Sequence, residues 1–271
     1  MRLSAWKLIL EYDGSRYRGW QSQKNARSIQ DTLARAASEI LQVPVELQGA
    51  GRTDAGVHAL GQVAHLKAQL RRPVASDLLL QKLNQALPAD LVVLSLEPVN
   101  VRFHARHHAV SRTYLYRISQ RKQAFAKRYV WWIKEPLDVD RMARSARQIT
   151  GRHDFAAFCA RDHSRPGEST LVVVESCQVA CDDALILVRV TASHFLWRMV
   201  RRIVGALVMV GRGELSEEDF SSLLVPGCPL SGRVAEWTAP AAGLFLEEVR
   251  YREGSSPAPR PLRGDGIDDV S

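Results

Sequence analysis

Ten residues from Gly49 to His58, GAGRTDAGVH, set one carboxylate and one arginine among three glycines. Glycine reaches φ > 0 and lets a backbone approach a ligand closely, so this stretch predicts a shaped loop rather than a strand interior. Arg52 and Asp54 form a charged pair on that loop, which indicates a catalytic or binding function. The alternative is an ordinary turn in which the two side chains form a solvated ion pair.

The residues around this loop predict the elements that would hold it. VPVELQ before the loop and LGQVAHLKA after it are predicted strands. Upstream, WKLILEYDG predicts a strand ending in a turn, and SIQDTLARAASEILQ predicts a helix capped by Ser28. Downstream, SDLLLQKLNQALP predicts a helix capped by Ser76 and ended by Pro88, and LVVLSLEPV predicts a buried strand. Together these elements predict a compact α+β unit.

The rest of the chain predicts a second α+β unit. VRFHARHHAVSRTYLYRIS leads from an extended loop into a strand, on which Tyr114 and Tyr116 share a face because strand side chains alternate. DVDRMARSARQIT, ended by Gly151, predicts a helix, and TLVVVESCQVA with LILVRVTA predicts a hairpin around Asp182 and Asp183. Two further predicted helices, FLWRMVRRIVGALVMVGRG and SEEDFSSLL, lead to a closing strand, GLFLEEVRY.

The first of those two helices, expected from about Leu196 to Val210, separates an apolar face from a basic one. A rotation of about 100° per residue places Gly205 on the same side as three arginines, Arg198, Arg201 and Arg202. The apolar side is expected to be core, and the arginine side either lines a cleft or is solvated. A mid-helix glycine costs about 1 kcal/mol relative to alanine, so Gly205 is expected to serve close packing or the approach of a ligand.

Composition points to a globular protein with an anionic partner. The chain has 271 residues, of which 46% are hydrophobic and 24% charged, and two domains are expected from this length. Lys and Arg total 37 against 29 Asp and Glu, a net charge of +8 that favours a polyanion. No apolar run reaches membrane-spanning length, and we expect no signal peptide and a cytoplasmic protein.

Residue spacing gives little support to a metal or cofactor. The four cysteines have no paired spacing, and the histidines at His104, His107 and His108 match no recognised zinc pattern and are expected to be loop residues. No glycine-rich phosphate loop or dinucleotide fingerprint occurs. We therefore expect no metal, no disulfide and no nucleotide cofactor. His58 is expected either to fix the Asp54 loop or simply to pack.

Several motifs occur in order along the chain: GAGRTDAGVH, FHAR from Phe103 with Tyr114 eight residues after its arginine, RRIVG from Arg201, and the terminal AP and GLFL around Ala239 and Gly243. Through them the chain resembles the TruA family of tRNA pseudouridine synthases over about residues 7–251. An ordered set of motifs is more specific than any one alone. The resemblance implies cofactor-independent isomerisation of uridine to pseudouridine at positions 38, 39 and 40 of the tRNA anticodon stem-loop.

The resemblance also implies roles for individual residues. Asp54 is implied to be the catalytic aspartate, and Arg52 the residue that enters the stem as the target base leaves it. Tyr114 is implied to stack on the uracil and serve the C5 proton, and Arg201 to pair with the aspartate. The substrate-binding set contains Arg52, Tyr114 and His58, with Leu244 as the other wall of the base pocket. Extruding a base from the stem costs roughly a few kcal/mol, and a side chain such as Arg52 that fills the vacated space recovers part of this cost.

For architecture, the resemblance implies two α+β lobes whose antiparallel mixed sheets join side by side, the pseudouridine synthase fold, with the active-site cleft between them. It also implies a homodimer that binds tRNA. We expect lobes at 1–104 and 105–253, followed by a disordered tail at 254–271 that is poor in apolar residues.

The residues alone leave two other functions open. One is a non-catalytic tRNA-binding protein or chaperone, and the other is a metal-dependent hydrolase with Asp13, Asp54 and His58 as ligands. For the isomerase, the sequence does not choose between covalent addition of the Asp54 carboxylate and proton removal from the sugar to give a glycal.

Overall fold

A computed structural model of the chain describes residues 1–160 and 169–252. The described chain falls into two compact units: one spans Met1–Val110 and resumes at Phe245, and the other spans Ser111–Leu244. This division differs from the expected lobes at 1–104 and 105–253, because the closing strand pairs with the strand after the Asp54 loop, Phe245 opposite His58. The expected tail at 254–271 lies outside the described residues.

The described part of the chain contains ten strands and five α-helices. The strands are β1 (Arg2–Tyr12), β2 (Val45–Gly49), β3 (His58–Leu70), β4 (Leu91–Pro98), β5 (Ala109–Ser119), β6 (Trp131–Trp132), β7 (Gly151–Asp154), β8 (Leu171–Asp182), β9 (Leu185–Ala192) and β10 (Leu244–Tyr251). The helices are α1 (Ile29–Leu41), α2 (Ser76–Ala86), α3 (Val139–Gln148), α4 (Met199–Gly211) and α5 (Glu217–Ser222). The α+β class predicted from sequence is confirmed.

The sheet of the first unit runs β4-β1-β3-β10, and β2 also pairs with β3. Its pairs are antiparallel except β10 with β3, so this sheet is mixed. Leu8, Leu10 and Leu66 on β1 and β3 are fully buried and form its core. β4 was expected to be a buried strand, but it alternates between buried and exposed residues, with Leu94 exposed. It pairs with β1 and has one face in solvent.

Both helices of the first unit form where the sequence predicts them. Ser28 caps α1, since its side chain accepts a hydrogen bond from the Asp31 amide, and the apolar face of α1 is buried. The predicted Ser76 cap of α2 is wrong. Ala75 holds the cap position without a side-chain hydrogen bond, and Ser76 is already helical. The carboxylate of Asp77 in the first turn favours the positive end of the helix dipole instead.

The second unit has a sheet in the order β5-β9-β8-β7, all antiparallel, with β6 parallel to β5. The predicted β8–β9 hairpin is confirmed, and its turn places Asp183 at φ 52°. Asp138 caps α3 through a hydrogen bond from the Arg141 amide. Gly151 does not end that helix directly: α3 stops at Gln148, and Gly151 begins β7.

Helix α4 is shorter and more buried than its sequence predicts. It begins at Met199 rather than near Leu196, because Arg198 has a left-handed φ of 61° that a helix cannot continue through. Gly205 lies within a fully buried stretch, and a Cβ there would stand 1.7 Å from the Trp237 carbonyl oxygen. The expectation that Gly205 serves close packing is confirmed.

Candidate active site

The Asp54 loop joins β2 to β3, as predicted, and its side chains point alternately outward and inward. Arg52 is exposed and Asp54 is half-buried, whereas the Thr53 side chain between them is 6% exposed. Two charged groups are therefore presented to solvent by a backbone whose middle residue is anchored in the unit. The inward residue determines where the outward ones stand.

A buried hydrogen-bond network holds the backbone on both sides of Arg52. The Thr53 hydroxyl and the Tyr12 hydroxyl are 2.9 Å apart at the end of β1. The Gln62 side-chain amide donates to the Gly51 carbonyl at 2.9 Å and to the Tyr12 hydroxyl at 3.4 Å. Burial raises the pKa of Tyr12 to about 12, so this group stays a neutral hydrogen-bonding phenol. The network positions the segment that carries Asp54.

The segment before α1 supports the same loop through its backbone. The Trp20 amide donates to the Thr53 carbonyl at 3.0 Å, and the Gly56 amide donates to the Tyr17 carbonyl at 3.4 Å. Gly19 has φ 98°, and a Cβ at this position would stand 2.6 Å from the Thr53 carbonyl oxygen. Only glycine allows this approach without moving the residue next to Asp54.

Three polar side chains, those of Tyr17, Arg27 and Asp90, hold the segment between β1 and α1 in place. The Tyr17 hydroxyl donates to Asp90 at 2.5 Å, and the Arg27 guanidinium donates to the Tyr17 hydroxyl at 2.9 Å and to Asp90 at 3.2 Å. Arg27 also lies over the Tyr17 ring, 4.4 Å from its centroid. Burial, followed by the nearby Asp90 carboxylate, raises the pKa of Tyr17. These three residues act as a clamp on the chain beneath the Asp54 loop.

His58 lies behind the loop and is 1% exposed. The Gly14 amide donates to its Nδ1 at 3.1 Å, one Asp13 carboxylate oxygen lies at 3.1 Å from the same atom, and the ring stacks on Phe245 with centroids 4.8 Å apart. These contacts support the expectation that His58 fixes the loop. The ring is buried in this structure, and the place of His58 in the substrate-binding set stays a prediction.

The second unit holds the other predicted site residues on regular elements. Tyr114 lies on β5, opposite Val190 of β9, and is 8% exposed. Its ring packs edge-on against the Phe195 ring, with centroids 5.0 Å apart. Tyr116 lies on the same face of β5, and its hydroxyl donates to the Pro240 carbonyl at 2.8 Å. Burial raises the pKa of Tyr116, so it too remains a neutral donor.

Arg201 at the start of α4 is tied to the segment that leads into β10. Its Nε donates to the Ala239 carbonyl at 2.7 Å, and the Ala239 amide donates to the Arg201 carbonyl at 3.0 Å. Gly243 lies against the Tyr116 ring, where a Cβ would stand 2.7 Å from a ring carbon, and Leu244 next to it is buried. Within the second unit, the segment from Ala239 to Gly243 therefore contacts both Arg201 and Tyr116, which lies on the same strand as Tyr114.

The three arginines of the α4 region have different environments. Arg198 is exposed and lies 5.0 Å from the Trp197 ring centroid, as expected for a solvated residue. Arg202 is half-buried, donates to the Cys159 and Ala157 carbonyls, and has its pKa lowered by burial. Arg202 therefore ties α4 to the segment containing Ala157 and Cys159. Of the two expected alternatives, the solvated one applies to Arg198.

Sequence reasoning missed the residues that shape the loop from below. Tyr12 ends an apolar strand, and Gln62 interrupts the apolar run of β3, so a polar group inside an apolar strand was the available signal. The expected loop role of the histidines is confirmed: Nδ1 of His104 accepts the amides of Arg106 and His107 at 3.2 and 3.3 Å.

Two structural features are absent from residues 1–160 and 169–252. We find no group of three or more His, Cys, Asp or Glu side chains placed to hold a metal ion in that part of the chain. None of the helices described there is both long and apolar enough to cross a membrane.

A mixed α+β chain that presents a carboxylate and an arginine on a hydrogen-bonded loop has the features of a candidate active site. The family model for tRNA pseudouridine synthases matches residues 8–108 and 145–252. The chain belongs to this family, and to its TruA branch, as the sequence motifs imply. It is therefore an isomerase that acts on tRNA.

Relatives from several bacteria are similar over nearly their whole length. The tRNA pseudouridine synthase A of Beijerinckia indica is 41% identical over 264 residues, covering 96% of this chain and 99% of that protein. The protein of the same name from Paramagnetospirillum magneticum is 39% identical, covering 91% and 94%. That of Thermoanaerobacter sp. strain X514 is 37% identical, covering 90% and 98%.

Proposed function

We propose that the chain converts uridine to pseudouridine at positions 38, 39 and 40 of the tRNA anticodon stem-loop, with Asp54 as the catalytic carboxylate. The observation that carries the proposal is the way in which the fold holds the backbone at Asp54. Its neighbour Thr53 is buried and hydrogen-bonded to Tyr12, and the Asp54 side chain remains accessible on a loop with fixed backbone. Such fixed geometry favours attack on a positioned substrate.

The reaction asks for a carboxylate and no co-reactant. The bond from C1′ to N1 of the uracil breaks, a bond from C1′ to C5 forms, the C5 hydrogen leaves as a proton, and N1 gains a proton. Asp54 can add covalently to the sugar or base, or remove a sugar proton to give a glycal, and both routes return the carboxylate unchanged. Either route requires the ionised form of Asp54.

The remaining residues of the proposal act on the base and its surroundings. Arg52 is exposed beside the anchored Thr53, which supports a role in filling the stem when the target base is extruded. Tyr114 stacks on the flipped uracil, a contact worth about 1–3 kcal/mol, and takes part in C5 proton removal. Leu244 provides an apolar wall for the base, and Arg201 is the basic residue of the catalytic set. His58 acts as a positioning residue behind the loop.

The wild-type protein provides the first test. Purified protein is incubated with unmodified tRNA in the absence of any added cofactor or metal, and pseudouridine is mapped by mass spectrometry after chemical labelling. The proposal expects modification at positions 38–40 and none in tRNA that carries cytidine at those positions. Binding of tRNA without any pseudouridine would instead support the non-catalytic RNA-binding alternative.

We further propose that the protein works in the cytoplasm as a homodimer with the pseudouridine synthase fold. The support is membership of the family and a tRNA substrate. Light scattering during gel filtration should give twice the mass of one chain at micromolar concentration. A single-chain mass at all concentrations would exclude the dimer.

A further inference from the structure

A second surface of the molecule combines exposed aromatic rings with positive charge. It lies in the segment from Gln120 to Lys134, between β5 and α3, which contains five Lys or Arg residues, four aromatic residues and no carboxylate. Phe125 is 99% exposed and Trp132 is 43% exposed. We call Lys122, Phe125, Lys127, Trp132 and Lys134 the aromatic platform.

The aromatic platform is held in place rather than loosely attached. The Ile133 amide donates to the Ser119 carbonyl at 3.0 Å, and the side chain of Gln120 donates back to the Ile133 carbonyl at 3.1 Å. The Ser119 hydroxyl donates to the Arg121 carbonyl at 2.6 Å and accepts from the Gln123 side chain at 3.2 Å. The backbone at both ends of the segment is therefore tied to the end of β5.

Pairing with β5 also explains why Trp132 faces outward. In β6, Trp131 is paired opposite Ile118 and packs its ring edge against Tyr116, with centroids 6.3 Å apart. Because strand side chains alternate, the next residue, Trp132, points away from this core. Trp131 is half-buried in this contact, whereas Trp132 and Phe125 are exposed, so core packing does not require aromatic residues at those two positions.

Charge accompanies the exposed rings. The Lys122 ammonium lies 5.4 Å from the Trp132 ring centroid, and Lys127 and Lys134 are exposed on the same segment. Residues 120–134 contain no acid, and the adjacent Glu135 carboxylate lies 3.1 Å from the Arg212 guanidinium. A flat ring with a cation beside it suits a nucleotide, whose base stacks on the ring and whose phosphate pairs with the cation.

We propose that the aromatic platform binds unpaired nucleotides of the tRNA substrate, with bases stacked on Phe125 and Trp132 and phosphates paired with Lys122 and Lys127. That the bound RNA is tRNA rests on the proposed function. Charge decides against a second copy of the chain as the occupant, since two platforms in contact would bring together two sets of five cations. An anionic membrane also has complementary charge, but the chain belongs to a family that acts on tRNA, so RNA is the occupant that we argue for and vesicle binding is an outcome of the test.

Two double variants separate stacking from charge. Phe125→Ala/Trp132→Ala should raise the Kd for tRNA by about tenfold or more, and should leave kcat at saturating tRNA unchanged. Lys122→Gln/Lys127→Gln should lower the slope of log Kd against log salt by about 1.4, the loss of two phosphate contacts on a single strand. Matched controls are Leu78→Ala and Lys82→Gln, exposed residues of α2 that should change neither quantity.

A short probe tests the single-stranded preference directly. An oligoadenylate of ten nucleotides, which contains no uridine to react, should compete with tRNA for the wild-type protein and at least several-fold less for Phe125→Ala/Trp132→Ala. All substituted residues are exposed, so the melting temperature should stay at the wild-type value. Pseudouridine formation by the wild-type protein is measured in parallel and reports separately on the proposed function.

Unchanged tRNA affinity and salt slope in both double variants would overturn the inference, whatever the wild-type activity. It would also be overturned if the variants kept their tRNA affinity while losing dimer mass, or while losing binding to vesicles containing phosphatidylserine. Loss of RNA affinity in a protein that forms no pseudouridine would support the aromatic platform and contradict the proposed function.

Discussion

The two units hold their proposed site residues in different ways. In the first unit, Asp54 lies on a loop whose backbone is shaped by buried side chains below it, Thr53 with Tyr12 and Gly51 with Gln62. In the second unit, Tyr114 belongs to the ladder of β5 and Arg201 to the first turn of α4. A loop needs dedicated anchors, whereas a strand or helix positions its residues through repeated backbone hydrogen bonds.

This difference predicts how substitutions divide between activity and stability. Substitution of the buried residues that anchor the Asp54 loop should lower kcat, because the reacting carboxylate moves even when the fold is retained. Substitution of core residues in the second unit should first lower the free energy of unfolding, because its site residues are positioned by a strand and a helix. The substitutions below test this contrast.

The largest loss of stability is expected for Gly205→Ala. A Cβ at this position would stand 1.7 Å from the Trp237 carbonyl oxygen, so α4 or the Trp237 segment must shift. We expect the free energy of unfolding to fall by about 3 kcal/mol. Urea denaturation measures this loss, and Gly232→Ala, where a Cβ meets nothing within 4 Å, is the control. Equal unfolding curves for the two variants would contradict the packing role.

Gly19→Ala should combine a smaller loss of stability with a loss of rate. The residue has φ 98°, and its Cβ would approach the Thr53 carbonyl oxygen to 2.6 Å. We expect about 1–3 kcal/mol of strain and a fall in kcat of about tenfold or more, because Thr53 adjoins the reacting carboxylate. A variant that is destabilised but turns over at the wild-type rate would show that the supporting segment does not position Asp54.

A matched pair of threonines compares the two units directly. Thr53 pairs with Tyr12 at 2.9 Å in the first unit, and Thr113 pairs with Thr191 at 3.0 Å in the second. Replacing either by valine should cost about 1 kcal/mol of stability, since each removes one buried hydrogen bond. Only Thr53→Val should lower kcat, by about fivefold, with KM unchanged. Equal effects of the two substitutions on kcat would remove the distinction between the units.

The smallest effect is expected from Arg27→Gln in the clamp. Its guanidinium side chain is 44% exposed where it meets Asp90, so solvent screening reduces the contribution to about 0.5 kcal/mol. A fall in kcat of about twofold should accompany this loss, because Tyr17 keeps its own hydrogen bond to Asp90. Steady-state kinetics at two salt concentrations measures it. A tenfold loss at both would make the clamp a principal anchor of the loop.

Much of this architecture could be predicted from local sequence. The glycines around Asp54, the strands beside them and the Ser28 cap each depend on residues close together in the chain, so their signals were readable. The Tyr12–Thr53–Gln62 network depends on the register that places Tyr12 opposite Ala59, which no local pattern encodes. The same holds for Gly205, whose partner Trp237 lies far along the chain.

The differences between prediction and structure have equally physical causes. Helix α4 starts late because Arg198 adopts a left-handed conformation, a choice that helix periodicity does not reveal. The closing strand joins the first unit because its partner is β3, and apolar content alone cannot name a strand's partner. His58 lies behind the loop because its ring stacks on Phe245, a contact between residues far apart in the sequence that no local pattern encodes.

The central claim is that Asp54 is the reacting carboxylate on a loop anchored independently of it, and Asp54→Asn tests it most directly. The measurement is a single-turnover release of tritium from tRNA labelled at C5 of uridine, with tRNA affinity and melting temperature measured alongside. We predict a fall in rate of at least about 10³-fold with affinity and stability near those of Asp77→Asn, an exposed control in the same unit. Turnover within tenfold of the control would contradict the account.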